Sequence, residues 1–364
     1  MFDWIPLQYY TAVHYHVLLF IVLLILYHAS QFDIKEEKSL NFFNILGYTF
    51  VLVYVFYMGL RPISGRYFGD TANYAAVYKM LQEGKTVIIK SDYLFNYFMH
   101  WCSRFLTIHQ FYLVLDIFYV LPCILFSRKY FGRYWFFSLF FFICSFSFWS
   151  YGTNGLRNGL GTAIFILSLY FYDRKIAMYS LLVVSYFLHA SLIIPLAAFI
   201  VSGLYRNPKI YIYIWLAAIP LSLAGGSAWS SFFASLGFEE DRTQGYLTGG
   251  EEFQDQFSQT GFRWDFLLYS ASAVFAGWYF IFKKNITDTF YIHLFGAYCI
   301  ANAFWILVIT AAFSNRFAYL SWFLMPAVIA YPMFRYKIWK DQYKIFAVIL
   351  FNYFIFTYYM NVIK

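Results

Sequence analysis

Charge is scarce in this 364-residue chain. Asp, Glu, Lys and Arg make up 12% of it against 62% hydrophobic residues, and the mean hydropathy is +0.58. A water-soluble domain of this size needs far more polar surface, so a soluble enzyme or nucleic-acid-binding module is excluded despite the net charge of +8. Cysteine is scarce too: Cys102, Cys123, Cys144 and Cys299 stand far apart, without CxxC or Cys/His spacing. That excludes a zinc or redox motif and leaves them as small buried hydrophobes. The short alternating segments of a membrane β-barrel are missing, as are internal repeats. The opening MFDWIPLQYYTAVHYH lacks the basic region and small-residue cleavage site of a signal peptide, so the first apolar run is expected to stay as a helix.

What the chain does have is apolar runs of about 18 to 25 residues, each long enough to cross hydrocarbon as a helix. The expected fold is all-α: one membrane-embedded domain over 1–364, a polytopic integral membrane protein of about 11–12 transmembrane or re-entrant helices. Spans are predicted near 13–30, 41–60, 108–127, 134–150, 157–172, 176–188, 190–204, 210–233, 262–282, 288–312, 316–334 and 342–362. The run 176–204 is read as two short helices with a break near His189. That break puts every short Lys-rich loop on one side, as the positive-inside rule demands. Helices this short dip or border a cavity. Two larger segments then face outward: 61–107, with an amphipathic stretch at 93–106, and the polar loop 234–261, too long for a mere connector.

Arginine is distributed unevenly in this topology. Seven of the twelve arginines fall outside (61, 66, 104, 157, 242, 263 and 316) but only four of the fourteen lysines. Topogenesis treats the two alike, whereas the planar, permanently charged guanidinium grips phosphate oxygens bidentately. An outward demand for phosphate binding explains the bias.

Individual residues sharpen this expectation. Arg157 sits in TNGLRNGLGTAIFI, at the start of a helix among Gly155, Gly159 and Gly161, where backbones approach closely and the helix dipole adds positive potential. His189 lies in the apolar run YFLHASLII at the proposed break, where a polar ring needs a partner. His28, His100, His109 and His293 receive no role. Arg316 opens a helix behind Ser314 and Asn315, either of which can cap it. In GRYFGDTANYAAVY, Asp70 is a candidate N-cap or base, and Tyr74 and Tyr78 follow at four-residue steps on one helical face beside Arg66. Arg242 and Arg263 flank the acidic outer loop, as glycan or phosphate ligands or as partners of Glu239, Glu240, Asp241 and Asp265. Asp116, isolated in FYLVLDIFYV, must be protonated, hydrated or hydrogen-bonded.

The blocks GDTANYAAVY, LRNGLGTAIFI, YFLHASLIIPL and NRFAY, in that order and with a large polar loop before the last, resemble the EpsG branch of the Wzy-type polysaccharide polymerases. Asn158 stands where the family pattern has Gln. The resemblance implies a GT-C-like glycosyltransferase bundle in the bacterial inner membrane with its active site facing the periplasm. It implies donor and acceptor oligosaccharides carried on undecaprenyl diphosphate, the bilayer as medium, and a chain-length regulator as a candidate partner. Nucleic acid is not a partner. By the same resemblance Arg157 and Arg316 hold diphosphate, and His189, or else Asp70, takes the proton of the attacking hydroxyl. Arg66, Tyr74, Tyr78, Arg242 and Arg263 then contact substrate. No pair of Asp residues suited to Mg²⁺ is evident, so no cofactor is expected and the reaction is expected to be metal-independent. Rival readings are a transferase using polyprenyl-phosphate sugars, an O-antigen ligase, and a transporter or flippase.

Overall fold

A computed structural model describes residues 2, 4–87, 89, 91–235, 261–311 and 314–364. Among the described residues there is no strand, and the regular elements are all helical. Eight runs are long and apolar enough to cross a membrane. The chain is therefore a multi-pass, all-α membrane protein. The outer loop 234–261 with Arg242 lies almost wholly outside the described residues.

The helices fall into two compact units, Met1–Ala190 with Met333–Lys364, and Ser191–Pro332. In the first unit α1 (Leu7–Gln31) and α2 (Glu37–Gly59) precede a group of short helices, α3 (Gly65–Phe68), α4 (Thr71–Gln82) and α5 (Tyr93–Ser103). The next helices are α6 (Ile108–Phe131), α7 (Trp135–Ile143), α8 (Phe146–Thr153), α9 (Leu156–Tyr170) and α10 (Lys175–Leu188).

Aromatic side chains supply much of the adhesion. Tyr10 and Tyr57 stack at 4.3 Å, and each hydroxyl donates to the other residue's carbonyl, at 2.6 and 2.7 Å. This pins α1 to α2 with both polar tips satisfied. A capping box starts α6: Thr107 Oγ1 accepts from the Gln110 N–H and Gln110 Oε1 from the Thr107 N–H. At Gly132 the backbone turns to φ 53, a left-handed value glycine adopts at little cost. It folds α7 back on α6, so that Ser127 and Ser138 meet at 3.2 Å. The 36-residue apolar run 108–143 is thus a hairpin.

The second unit contains α11 (Ile193–Leu204), α12 (Pro208–Gly225), α13 (Ser227–Ser235), α14 (Trp264–Trp278), α15 (Thr289–Leu307), α16 (Ser314–Trp322) and most of α17 (Met325–Arg335). A buried polar network joins four of them. Asn302 accepts from Trp215 Nε1 at 2.7 Å and donates to Ser321 Oγ at 2.9 Å and Ser270 Oγ at 3.2 Å, and Trp322 Nε1 donates to Ser270 Oγ at 2.6 Å. Such a network fixes helix register where lipid offers no hydrogen bonds. The first unit is completed by α18 (Gln342–Tyr358).

Three predicted spans are divided. The span 134–150 breaks at Cys144 and Ser145. The span 210–233 breaks at Gly226, where φ is 47, and 316–334 breaks ahead of Pro326. The break near His189 occurs as expected: α10 ends at Leu188, His189 is extended (φ −157, ψ 120), and a single 3-10 turn, Ala190–Leu192, leads into α11.

Candidate functional site

Three segments of the first unit meet at one carboxylate, that of Asp92. Its Oδ2 accepts from Arg157 Nη1 at 2.6 Å and lies 2.9 Å from His189 Nδ1. Its Oδ1 accepts the Ala190 backbone N–H at 3.0 Å. On the other side of the guanidinium, Arg157 Nε donates to the Tyr74 hydroxyl at 3.1 Å. Asp92 and His189 are buried, whereas a fifth of the Arg157 side chain (21%) remains exposed.

Local chain geometry accounts for each position. Asp92 occupies the N-cap of α5, yet its side chain caps nothing there. Its backbone is left-handed (φ 51, ψ 46), a region Asp tolerates better than most residues other than glycine. This conformation turns the carboxylate away from the α5 N-terminus and towards α9 and α10. His189 stops α10 because its backbone is extended. Ala190 N–H, which a continuing helix would pair with a carbonyl four residues back, is paired instead with Asp92. The carboxylate therefore holds both the imidazole and the helix break that presents it.

Arg157 is delivered by the α8–α9 turn. A Cβ on Gly159 would lie 2.5 Å from the Tyr151 carbonyl oxygen, so glycine there permits the close approach of α8 and α9. In the same turn, Asn154 Oδ1 accepts the Asp70 backbone N–H at 2.8 Å. Gly69 (φ 52) packs so tightly on that carboxamide that any side chain would collide with it. Asp70 is thereby tied to the Arg157 turn through its backbone. It sits at the N-cap of α4, but its carboxylate makes no capping bond. Burial raises the Tyr74 phenol pKa, nearby Arg157 lowers it, and the Asp70 and Asp92 charges raise it. Tyr74 is thus neutral at physiological pH and able to accept the Arg157 hydrogen bond.

The structure brings together three of the sequence-predicted residues, His189, Arg157 and Tyr74, and ties Asp70 to their edge. Tyr78 is different. It is fully buried beside Phe95 and Phe111, and its hydroxyl donates to the Leu106 carbonyl at 3.0 Å, so no ring face is left for a sugar. Arg66 is exposed, over the Tyr67 ring. In the second unit, Arg263 holds Asp265 through two bonds of 2.9 and 2.7 Å and lies over Phe266. Arg316 lies half-buried in α16, where Ser314 and Asn315 are helical residues rather than caps.

The outward-arginine expectation also needs correction at Arg61. This side chain is fully buried, donating to Asp116 Oδ2 at 3.0 Å and to the carbonyls of Met58 and Thr153, with Tyr112 packed against its guanidinium. It answers the question posed by Asp116 and is not placed to receive substrate.

Asp92 itself escaped the sequence reading. It ends the polar stretch EGKTVIIKSD with no motif around it, and the only local signal is an Asp opening the amphipathic stretch 93–106.

Chemically, an ionised carboxylate on Nδ1 makes that nitrogen the donor and leaves Nε2 as the basic atom of His189. Beside it stands a fixed guanidinium. The combination can take a proton from a hydroxyl and stabilise negative charge on a departing oxygen. Among the described residues no group of three or more His, Cys, Asp and Glu side chains forms a metal-binding cluster.

Residues 45–364 match the EpsG family. No curated protein and no solved structure matches the chain.

Proposed function

Because the chain belongs to the EpsG family, of polysaccharide-polymerase-type membrane proteins, we propose that it is a glycosyltransferase joining lipid-linked oligosaccharides. The reaction takes place on the outer face of the bacterial inner membrane. The donor is a growing glycan on undecaprenyl diphosphate, and the acceptor is a single repeat unit on the same carrier. A hydroxyl of the acceptor's terminal sugar attacks the anomeric carbon of the donor. The new glycosidic C–O bond forms as the C–O bond to the diphosphate breaks, the hydroxyl proton passes to His189 Nε2, and undecaprenyl diphosphate leaves.

The observation that carries this proposal is the shared carboxylate of Asp92. It meets His189 at Nδ1, a contact by which an ionised carboxylate favours the tautomer a general base needs, and it holds Arg157 beside it. Asp92 acts through these two residues as a positioning group. Arg157 stabilises charge developing on the diphosphate, and Arg316 is proposed to bind diphosphate as well. Asp70, Tyr74 and Arg66 are proposed to line the glycan path, with Arg242 and Arg263 steering lipid phosphate or glycan. The cationic work falls to arginine, so the reaction is proposed to be indifferent to EDTA. A chain-length regulator remains the proposed protein partner.

The test is to delete the gene in its host and resolve the surface polysaccharide on a gel, complementing with wild type and Arg157→Lys. Single repeat units replacing the ladder, restored by wild type alone, support polymerisation and the guanidinium's place in it. An unchanged ladder after deletion contradicts a non-redundant role in making that polymer. Full rescue by Arg157→Lys removes the bidentate role.

A further inference from the structure

The helix that carries Asp92 at its N-cap has an outer face the proposed reaction does not use. Placing residues about 100° apart around the axis of α5 puts Phe95, Met99 and Cys102 on one side. All three are buried against the first unit's core. The opposite arc is exposed and strongly aromatic: Tyr93, Leu94, Tyr97 (61%) and Trp101 (57%), continued by Phe105 beyond the helix end. This arc has two edges. His100 and Arg104, both exposed, lie along one. Along the other, Trp101 stacks on Phe98 and Phe98 reaches the ring of Phe118 at 6.3 Å.

Phe118 decides what lies against this face. It belongs to α6, within a run apolar enough to cross the membrane, and with its neighbours Ile117 and Leu121 it is exposed there. Exposed apolar side chains of a spanning helix face hydrocarbon. The α5 aromatic edge is continuous with that surface, and its polar edge lies on the far side. At 11 residues, α5 is too short to cross the bilayer itself. Aromatic residues with a polar rim that includes an arginine are the composition of a helix at the boundary between hydrocarbon and headgroups.

We propose that the Leu94–Tyr97–Trp101–Phe105 face of α5 docks on lipid, with its aromatic edge in the hydrocarbon and His100 and Arg104 at headgroup level. The occupant is the bilayer's own lipid. Taken with the polymerase proposal above, on which this consequence rests, α5 holds Asp92, and through it His189 and Arg157, at the depth of a lipid-linked diphosphate. The substrate then reaches the site laterally, without lifting its isoprenoid chain into water.

The experiment places nitroxide labels at Leu94→Cys, Trp101→Cys and, as a control at an exposed charged position on α4, Lys79→Cys. The labelled proteins are reconstituted in phosphatidylethanolamine/phosphatidylglycerol vesicles. The four native cysteines are all buried, and replacing them with Ser or Ala removes background. Relaxation by oxygen, which partitions into hydrocarbon, is compared with relaxation by a water-soluble nickel chelate. The expected result is an oxygen-to-nickel ratio at 94 and 101 at least fivefold above that at 79. Nickel access at 94 and 101 equal to that at 79 overturns the proposal by placing the face in water. Shielding from both reagents overturns it too, because a protein surface then covers the face. Because two α5 positions are read separately, one poorly folded variant does not decide the matter. None of these readouts needs activity. Lipid-facing labels in a protein that makes no polymer leave the docking surface standing and remove only the polymerase reading.

Discussion

Two Asp–Arg pairs in the same unit use the same residue types for opposite ends. Asp116 and Arg61 meet at 3.0 Å with side chains 1% and 0% exposed, and two backbone carbonyls take further guanidinium donors. Asp92 and Arg157 meet at 2.6 Å, but the carboxylate is shared with His189 and the guanidinium keeps a fifth of its surface open. The first pair is closed and joins α2, α6 and the end of α8. The second is open and joins α5, α9 and the α10 break. An ion pair in a membrane protein can serve as a site when its geometry leaves one partner accessible and brings a third side chain to the other.

The largest effect is expected from breaking the closed pair. Arg61→Ala leaves the Asp116 charge buried without its partner, at a cost of about 3–5 kcal/mol. Thermal unfolding in detergent and membrane yield should both fall sharply. The double variant Arg61→Met with Asp116→Leu should recover most of that stability, because apolar groups replace both charges. Failure of the double variant to recover would mean that the pair does more than hold helices together.

In the open pair the loss should appear in rate instead. His189→Ala is expected to lower the polymerisation rate by about 10²- to 10⁴-fold, the usual worth of a general base, with unfolding close to wild type. Equal losses of stability from His189→Ala and Arg61→Ala would erase the distinction between the pairs. A smaller effect is expected for Tyr74→Phe, which removes one hydrogen bond to Arg157 worth about 0.5–1.5 kcal/mol. That corresponds to a fall of roughly two- to tenfold in kcat/KM, measurable with purified lipid-linked repeat units.

The smallest effect belongs to a third, exposed pair. Lys129 donates to Asp173 at 2.6 Å, and this hydrogen bond holds the Asp173 carboxyl below the usual carboxylate range. A depressed pKa adds stability above the unfolded value and loses it as pH falls through the folded one. Asp173 is mostly exposed, so Asp173→Asn should cost no more than about 0.5 kcal/mol at neutral pH. The difference from wild type should begin to shrink as pH falls past about 3.9 and vanish only in more acid solution, below the folded-state value.

The closed and open pairs also differ in how far sequence could reveal them. Apolar runs announce spans directly, so most helices lie where hydropathy puts them. The break at His189 was legible because it alone places the short Lys-rich loops together. Arg157 could be found because its glycines crowd a helix start. Asp92 could not, since nothing local distinguishes the last residue of KTVIIKSD. Its role comes from a left-handed backbone and from partners 65 and 97 residues away. Arg61 was misread for the same reason: its partner lies 55 residues on, and a charge count by side cannot see a pair that closes in the interior. Tyr78 shares a helical face with Tyr74, yet one turn further along that face meets the core.

The most direct test of the account is Asp92→Asn, assayed for polymer formation with the purified protein and lipid-linked repeat units. The carboxamide keeps the shape of the side chain and an oxygen for the Ala190 N–H. It loses the charge that orders His189 and Arg157. The account predicts a properly folded protein whose rate falls by at least about 10²-fold. A variant that elongates glycan at the wild-type rate would contradict it.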